Sequence, residues 1–322
     1  MRRILAAAVA AALSVTGVFA SPASAVTLPW VIQAGSASFG PGGVLGGGNR
    51  FYPEAIAIHQ GESVEFRPIG PHTVTFNRPA APVFALFGPF GNPNLTSPTQ
   101  PVNSGIIGEA PGAKFTLTFN LSPGSYLVIC GLHIGMTETI DVVPAGQELP
   151  KTRDEVVAQA QREVTRDLNT LAEIAAETSE ENDEDEDGSP TVSVGAGNKR
   201  VSNLRFFPAV TTIHVGQSVT FLKTHDPTEP HTVTFGPESP DPVVQLLAAG
   251  GNTYHGVAGE TVNSGFMSTK AQFAFYQLAG TGLPVAVTKF KVTFTAVNTS
   301  GWDYICALHD DIGMRGKVIV LP

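Results

Sequence analysis

The chain is written twice, and this repeat limits the fold more than any other feature. The hexapeptide Pro-His-Thr-Val-Thr-Phe occurs at residues 71–76 and again at 230–235, carrying His72 and His231. Upstream, Arg50-Phe51-Tyr52-Pro53 leads to Ile58-His59-Gln60-Gly61-Glu62-Ser63-Val64-Glu65-Phe66. Its echo is Arg205-Phe206-Phe207-Pro208 leading to Ile213-His214-Val215-Gly216-Gln217-Ser218-Val219-Thr220-Phe221. Downstream, Val102-Asn103-Ser104-Gly105 matches Val262-Asn263-Ser264-Gly265, and the alternating Lys114–Phe119 matches Lys289–Phe294. Final strands are expected at 139–143 and 317–321. Each copy reads as short strands of period two broken by glycine turns. With 34 Gly, 25 Pro and only 15% charged residues, the fold expected is all-β: two tandem Greek-key β-sandwiches.

The only two cysteines stand at equivalent places in the repeat. They open Cys130-Gly-Leu-His133-Ile-Gly-Met136 and Cys306-Ala-Leu-His309-Asp-Asp-Ile-Gly-Met314. A thiolate, an imidazole and a thioether on one tight loop form a soft, mixed donor set that suits copper in both its oxidation states. His72 and His231 offer the second imidazole. They lie 58 and 75 residues before their cysteines, so only a folded sandwich can gather the set. Two cysteines in an exported chain ordinarily suggest a disulfide; their equivalent positions in the two repeats argue against one here.

Export is expected from the N-terminus. Arg2 and Arg3 precede an apolar stretch from Ile4 to about Ala20 and the small-residue site Ala23-Ser24-Ala25, so residues 1–25 read as a signal peptide and the product as periplasmic or extracellular. No later stretch is long enough for an integral membrane segment. The net charge of −9 comes mostly from one run, Glu180, Glu181, Asp183, Glu184, Asp185, Glu186 and Asp187. No basic patch is visible, so nucleic acid is not an expected partner.

That run follows a stretch of different composition. Thr152-Arg153-Asp154-Glu155 is a capping box. Val157, Ala160, Val164, Leu168, Leu171 and Ala175 then recur at helical spacing, so a helix is expected over 152–177. It reads as a spacer lying on one domain, with self-association as the alternative. The acidic run reads as a flexible, solvated linker between independent domains. The expected organisation is thus domain 1 over 26–150, helix and linker over 151–190, and domain 2 over 191–322. The second copy carries 15 extra residues after Gly265, including Phe273, Phe275 and Tyr276, which read as a hairpin or surface excursion. The apolar segments 82–87 and 242–247 read either as loops tucked onto the sandwiches or as a rim where a redox partner docks.

On these motifs each half resembles a cupredoxin, the plastocyanin and amicyanin family of type 1 blue copper proteins. The resemblance spans nearly all of both halves, from the Phe-x-Pro entry to the C-x-x-H…G-M loop, with Tyr126 or Trp302 four residues before the cysteine. It implies two copper sites, one held by His72, Cys130, His133 and Met136, the other by His231, Cys306, His309 and Met314. Cysteine and the imidazoles would form a trigonal plane, and methionine a weak axial ligand. The first loop has the amicyanin-like spacing and the second the plastocyanin-like one. By the same analogy His133 and His309 show an edge at the surface for electron entry. The Asn103-Ser104 and Asn263-Ser264 turns are the natural partners of the ligand histidines. The family often has Asn after its first ligand histidine, where this chain has Thr73 and Thr232; whether a hydroxyl can tie down the cysteine loop is left open. His59, His214, His225 and His255 read as surface residues. His59 and His214 repeat, which leaves a secondary metal site as an option, and His225 is a competitor for the place of His231.

The function implied is that of an electron carrier between redox partner proteins, not an enzyme. Copper sequestration or delivery would use the same ligands. A subunit or degenerate relative of a multicopper oxidase or nitrite reductase would need a histidine beside the cysteine. Here the neighbours are Ile129 and Gly131, then Ile305 and Ala307, and the chain has no His-x-His pair.

Overall fold

Alternation decides the strands. In Trp30–Ala34 the side chains of Trp30, Ile32 and Ala34 are buried and those between are half-buried. The same period runs through Phe115–Phe119, Thr137–Val143 and Arg315–Leu321, so each strand gives one face to a core. A computed structural model of the protein describes residues 28–322 apart from 109, 182, 183, 242 and 243; the expected signal peptide lies outside the described residues.

The first half is a sandwich of two sheets. One runs Phe51–Tyr52, Trp30–Ala34, Ser63–Pro68, Phe115–Phe119, Asn94–Leu95; the other runs Ala55–His59, Thr137–Val143, Gly124–Ile129, Thr75–Phe76, Val102–Ser104, Pro89–Phe90. The second half repeats the plan. Thr191–Gly197 pairs parallel with Ser218–Leu222 as Trp30–Ala34 does with Ser63–Pro68, and Val210–His214 pairs parallel with the last strand as Ala55–His59 does with Thr137–Val143. Each sandwich closes over its own apolar core. Phe51, Phe66, Phe119 and Cys130 belong to the first; Phe221, Phe235, Tyr304 and Cys306 belong to the second. The expected all-β, two-sandwich architecture joined by a helix is what the chain forms.

The halves are not independent, contrary to the reading of the acidic run. A glycine-rich hairpin of the first half, Ser38–Gly40 with Gly43–Gly48, joins the sheet of the second: Val201, Ser202 and Asn203 pair with Gly48, Gly47 and Gly46. Close approach requires those glycines. A Cβ at Gly46 would lie 2.2 Å from the Ser202 carbonyl oxygen and one at Gly47 1.8 Å from that of Ser36. The acidic run is itself tied down. Asp185 accepts from Lys289 Nζ at 2.7 Å and from Thr220 Oγ1 at 3.1 Å, and Asp187 pairs with Lys291. The lysines of an alternating strand thus hold two of the carboxylates in place, although the run stays largely exposed.

Helix α1 spans Arg153–Glu180 and opens with the capping box: Glu155 N donates to Thr152 Oγ1 and Thr152 N donates to Glu155 Oε2. It is not a spacer on one domain. It packs against strands of both halves, because its buried face carries Asp167 as well as Val156, Leu171 and Ala175. Asp167 Oδ2 receives Arg50 Nη1 at 2.9 Å and Tyr52 Oη at 3.1 Å from the first half, while Asn203 of the second donates to the Leu171 carbonyl at 3.0 Å. Val157, placed on the apolar stripe by spacing, is exposed. Among the described residues no helix is long and apolar enough to cross a membrane.

The extra segment of the second copy folds as helix α2, Lys270–Phe275, and a loop that wedges between the halves. Tyr276 Oη donates to the Leu132 carbonyl of the first cysteine loop at 2.7 Å, and Val83 N donates to the Tyr276 carbonyl at 2.9 Å. Val83, Leu246, Phe266, Tyr276 and Leu278 form a third apolar cluster. Of the two apolar loops, Val83, Phe84 and Leu246 pack against this wedge, while Phe87, Val244 and Leu247 stay exposed. Tyr276→Phe is expected to lower stability by about 1–2 kcal/mol, since it strips a carbonyl of its donor. Urea unfolding checks this, and an unchanged midpoint would show the wedge to be held by packing alone.

Candidate metal centres

Each sandwich gathers one histidine from a strand start and a cysteine–histidine pair from a loop. In the first half Cys130 Sγ lies 3.3 Å from His133 Nδ1 and 3.9 Å from His72 Nδ1, and the two Nδ1 atoms are 3.0 Å apart. In the second half Cys306 Sγ lies 3.4 Å from His309 Nδ1 and 3.7 Å from His231 Nδ1. The centre of a triangle with such sides is about 2 Å from its corners, close to the length of a metal–nitrogen bond. The residues thus fit one ion per half. Met136 and Met314 are buried beside these loops. The Cys130 and Cys306 amides donate to their carbonyls at 3.0 and 3.1 Å, closing each loop on itself.

The electrostatics favour a donor sulfur. Burial alone would push both thiols up. The facing imidazoles, His133 and His72 on one side and His309 and His231 on the other, outweigh it and hold Cys130 and Cys306 well below the ordinary thiol range. Both cysteines are free and fully buried, each in its own half.

Residues 191–321 match the family described as copper binding proteins, plastocyanin/azurin family. The second half is cupredoxin-like. Among solved structures the chain is similar to a Cu(I) amicyanin variant, at 20% identity over 42% of this chain and 84% of that one, with a TM-score of 0.25. It is also similar to a fern plastocyanin variant, at 19% identity over 41% and 99% with a TM-score of 0.24, and to plastocyanin of Dryopteris crassirhizoma, at 18% over 41% and 99% with a TM-score of 0.24. No curated protein sequence matches the chain.

Both cupredoxin-like halves answer the question left by Thr73 and Thr232. Thr73 Oγ1 accepts from Gly131 N and Thr232 Oγ1 from Ala307 N, each at 2.7 Å. Their own amides point at sulfur, Thr73 N at 3.4 Å from Cys130 Sγ and Thr232 N at 3.3 Å from Cys306 Sγ. Threonine therefore does tie the cysteine loop to the histidine strand.

The partners of the candidate ligand histidines are not the expected ones. Asn103 Nδ2 donates to the Leu86 and Gly88 carbonyls, and Asn263 Nδ2 to those of Gln245 and Leu247. These turns hold the apolar loops instead. His72 Nε2 faces the Ile69 carbonyl at 3.1 Å, and His231 Nε2 faces Asp226 Oδ2 at 3.0 Å. Asp226 is fully buried and also accepts from Ser202 Oγ, Thr228 N and Glu229 N. Burial would raise its carboxyl, but Lys223 and His231 hold it far below the usual range. A carboxylate behind His231 and a carbonyl behind His72 make the two candidate sites chemically unequal. Sequence gave no pointer to Asp226, since a lone acid in a loop has no periodicity.

His133 does not present its edge to solvent, whereas His309 is only part-buried, its side chain 12% exposed. His133 is 5% exposed, because the ends of the two sandwiches that carry the His/Cys/His groups face each other. Between them is a cavity of about 220 Å³, lined by His72, His133, His309, Glu229, Asn49 and the hairpin residue Val44. The other histidines stay away: His225 approaches Ser193 and Glu181, His59 the Gln147 carbonyl, His214 that of Pro322, and His255 Thr295. Among the described residues only the two His/Cys/His groups could gather an ion.

Proposed function

We propose that this chain is an exported copper protein with two mononuclear type 1 sites that carries single electrons between redox partner proteins. His72, Cys130, His133 and Met136 would hold one ion, and His231, Cys306, His309 and Met314 the other. The observation that carries the reading is the doubled His/Cys/His triangle, set at ion-sized spacing with the thiols biased toward thiolate. The family match over residues 191–321 supports copper as the ion. Bound copper would supply the one-electron step. The protein's part is to keep the donors from moving: loop and strand are bonded through Thr73 and Thr232, and His72, His133 and His231 are anchored by their far nitrogens, so little rearrangement accompanies a change of charge.

Burial favours carriage over delivery. Handing an ion to an acceptor requires an incoming ligand at the metal, and Cys130 and Cys306 have no exposed surface. An electron needs no such access. The flanking residues Ile129, Gly131, Ile305 and Ala307 offer no imidazole to relay electrons to a catalytic copper, which favours a carrier over an oxidase.

The visible spectrum of the copper-loaded protein tests the reading. An intense blue band is expected. Cys130→Ser and Cys306→Ser should each remove about half of it, and the double variant all of it, because the colour comes from the copper–thiolate bond. A colourless protein with two coppers bound would overturn the assignment.

A further inference from the structure

One buried acid belongs to neither triangle and touches both. Glu229, 6% exposed, directs Oε1 at His133 Nε2, 3.0 Å away, and Oε2 at His309 Nε2, 3.8 Å away. Both imidazoles turn their Nδ1 atoms to sulfur, so both turn Nε2 to this one carboxylate. The carboxylate is held from behind. Asn49 Nδ2, from the first half, donates to Oε1 at 2.9 Å, and the Glu229 amide donates to Asp226 Oδ1 at 3.0 Å. Asn49 is itself fixed by the Ser202 and Thr228 hydroxyls, at 3.4 and 3.3 Å. A fully desolvated acid is costly unless paired. Here its partners are the outward edges of two metal-ligand rings, from the two halves of the chain.

We propose that Glu229 is a bridge joining the two centres, so that an electron passes between them within one chain through His133, the carboxylate and His309. This rests on the reading of both triangles as copper sites. In the exchange one centre goes from the cuprous to the cupric state and the other from cupric to cuprous. One electron moves, no bond forms or breaks, and the Nε2 protons remain on their rings. The arrangement also explains why the His133 edge is buried: it is turned to the other centre. Packing of the third apolar cluster against Leu132 and Leu308, one from each metal loop, keeps the carboxylate at its distance from both rings.

The test is proton NMR of copper-loaded protein reduced by one electron per chain. Methyl signals of Met136 and Met314 should be broadened by electron exchange at a rate unchanged on dilution, as an internal process requires. Glu229→Gln, whose amide can accept from only one imidazole, should slow that rate by about tenfold or more, and Glu229→Leu further. A rate proportional to protein concentration, or one unmoved by both variants, would overturn the proposal. A second readout uses no redox chemistry. In the zinc-loaded protein two imidazole Nε2 protons should resist solvent exchange, and both should exchange faster in Glu229→Leu; unchanged protection would also overturn it. Failure of the copper reading itself would appear differently, as a wild-type protein without a blue band.

Discussion

Arg50→Met is expected to destabilise the protein by about 3–5 kcal/mol, the usual cost of removing one partner from a buried ion pair. Arg50 is 3% exposed and holds three carboxylates: Asp167 at 2.9 Å, Glu54 at 2.6 Å and Glu163 at 3.7 Å. Asp167 is the critical one, since it is 2% exposed and sits mid-helix at the junction. Without Arg50 it keeps only the Tyr52 hydroxyl and a 3.4 Å contact from Arg166. Most of the loss is the penalty of a stranded charge. The pair Arg50→Met with Asp167→Leu should therefore recover most of the stability lost in the single variant. Denaturant unfolding of the single and double variants decides the matter. Equal destabilisation in the single and double variants would mean that Arg50 acts through packing.

Gly195→Ala should cripple the second metal centre and leave the first intact. Gly195 has φ +74°, and a Cβ there would lie 2.3 Å from His231 Nε2 and 2.9 Å from Asp226 Oδ2. The substitution costs about 1–2 kcal/mol in backbone strain alone. The larger effect is on the ring, which must leave either its carboxylate or its triangle. Copper affinity at this site should fall about 10–100-fold, as when the partner of a ligand histidine is lost. Competitive titration against a chelator, followed by the blue band, would show one site weakened and one unchanged. Gly35 mirrors the arrangement, its Cβ position lying 2.0 Å from His72 Nε2, so Gly35→Ala should weaken the first site instead. Wild-type affinity at both sites in Gly195→Ala would mean that the ring is not held where the structure puts it.

Much of this was legible in the sequence because it depends on local chemistry repeated twice. The hexapeptides at His72 and His231, the cysteine loops and the alternating strands all announce themselves by residue type and spacing. The capping box placed the start of helix α1 to within a residue. What escaped depends on contacts between the copies. Glu229 and Asp226 lie in one loop with no counterpart in the first half. The hairpin strand Gly43–Gly48 has four glycines among six residues and so no side-chain period to read. The acidic run was misjudged for a similar reason: repulsion within it is visible in sequence, but its partners Lys289 and Lys291 are some hundred residues away and only the fold supplies them. Asp167 was missed because a charged residue on a helix normally faces water, and its partner Arg50 is equally remote.

The strand loan between the halves has a consequence for how the gene can be cut. The hairpin that completes the downstream sheet is made about 150 residues before the strand it pairs with. Downstream residues expressed alone would present Val201–Phe207 as a bare, sticky border, ready to recruit another molecule. The upstream portion alone would carry a glycine ribbon with nothing to lie against. Although the duplication suggests two interchangeable modules, evolution has stitched them into one unit of inheritance, and a recombinant that swaps either copy would have to carry the stitch along.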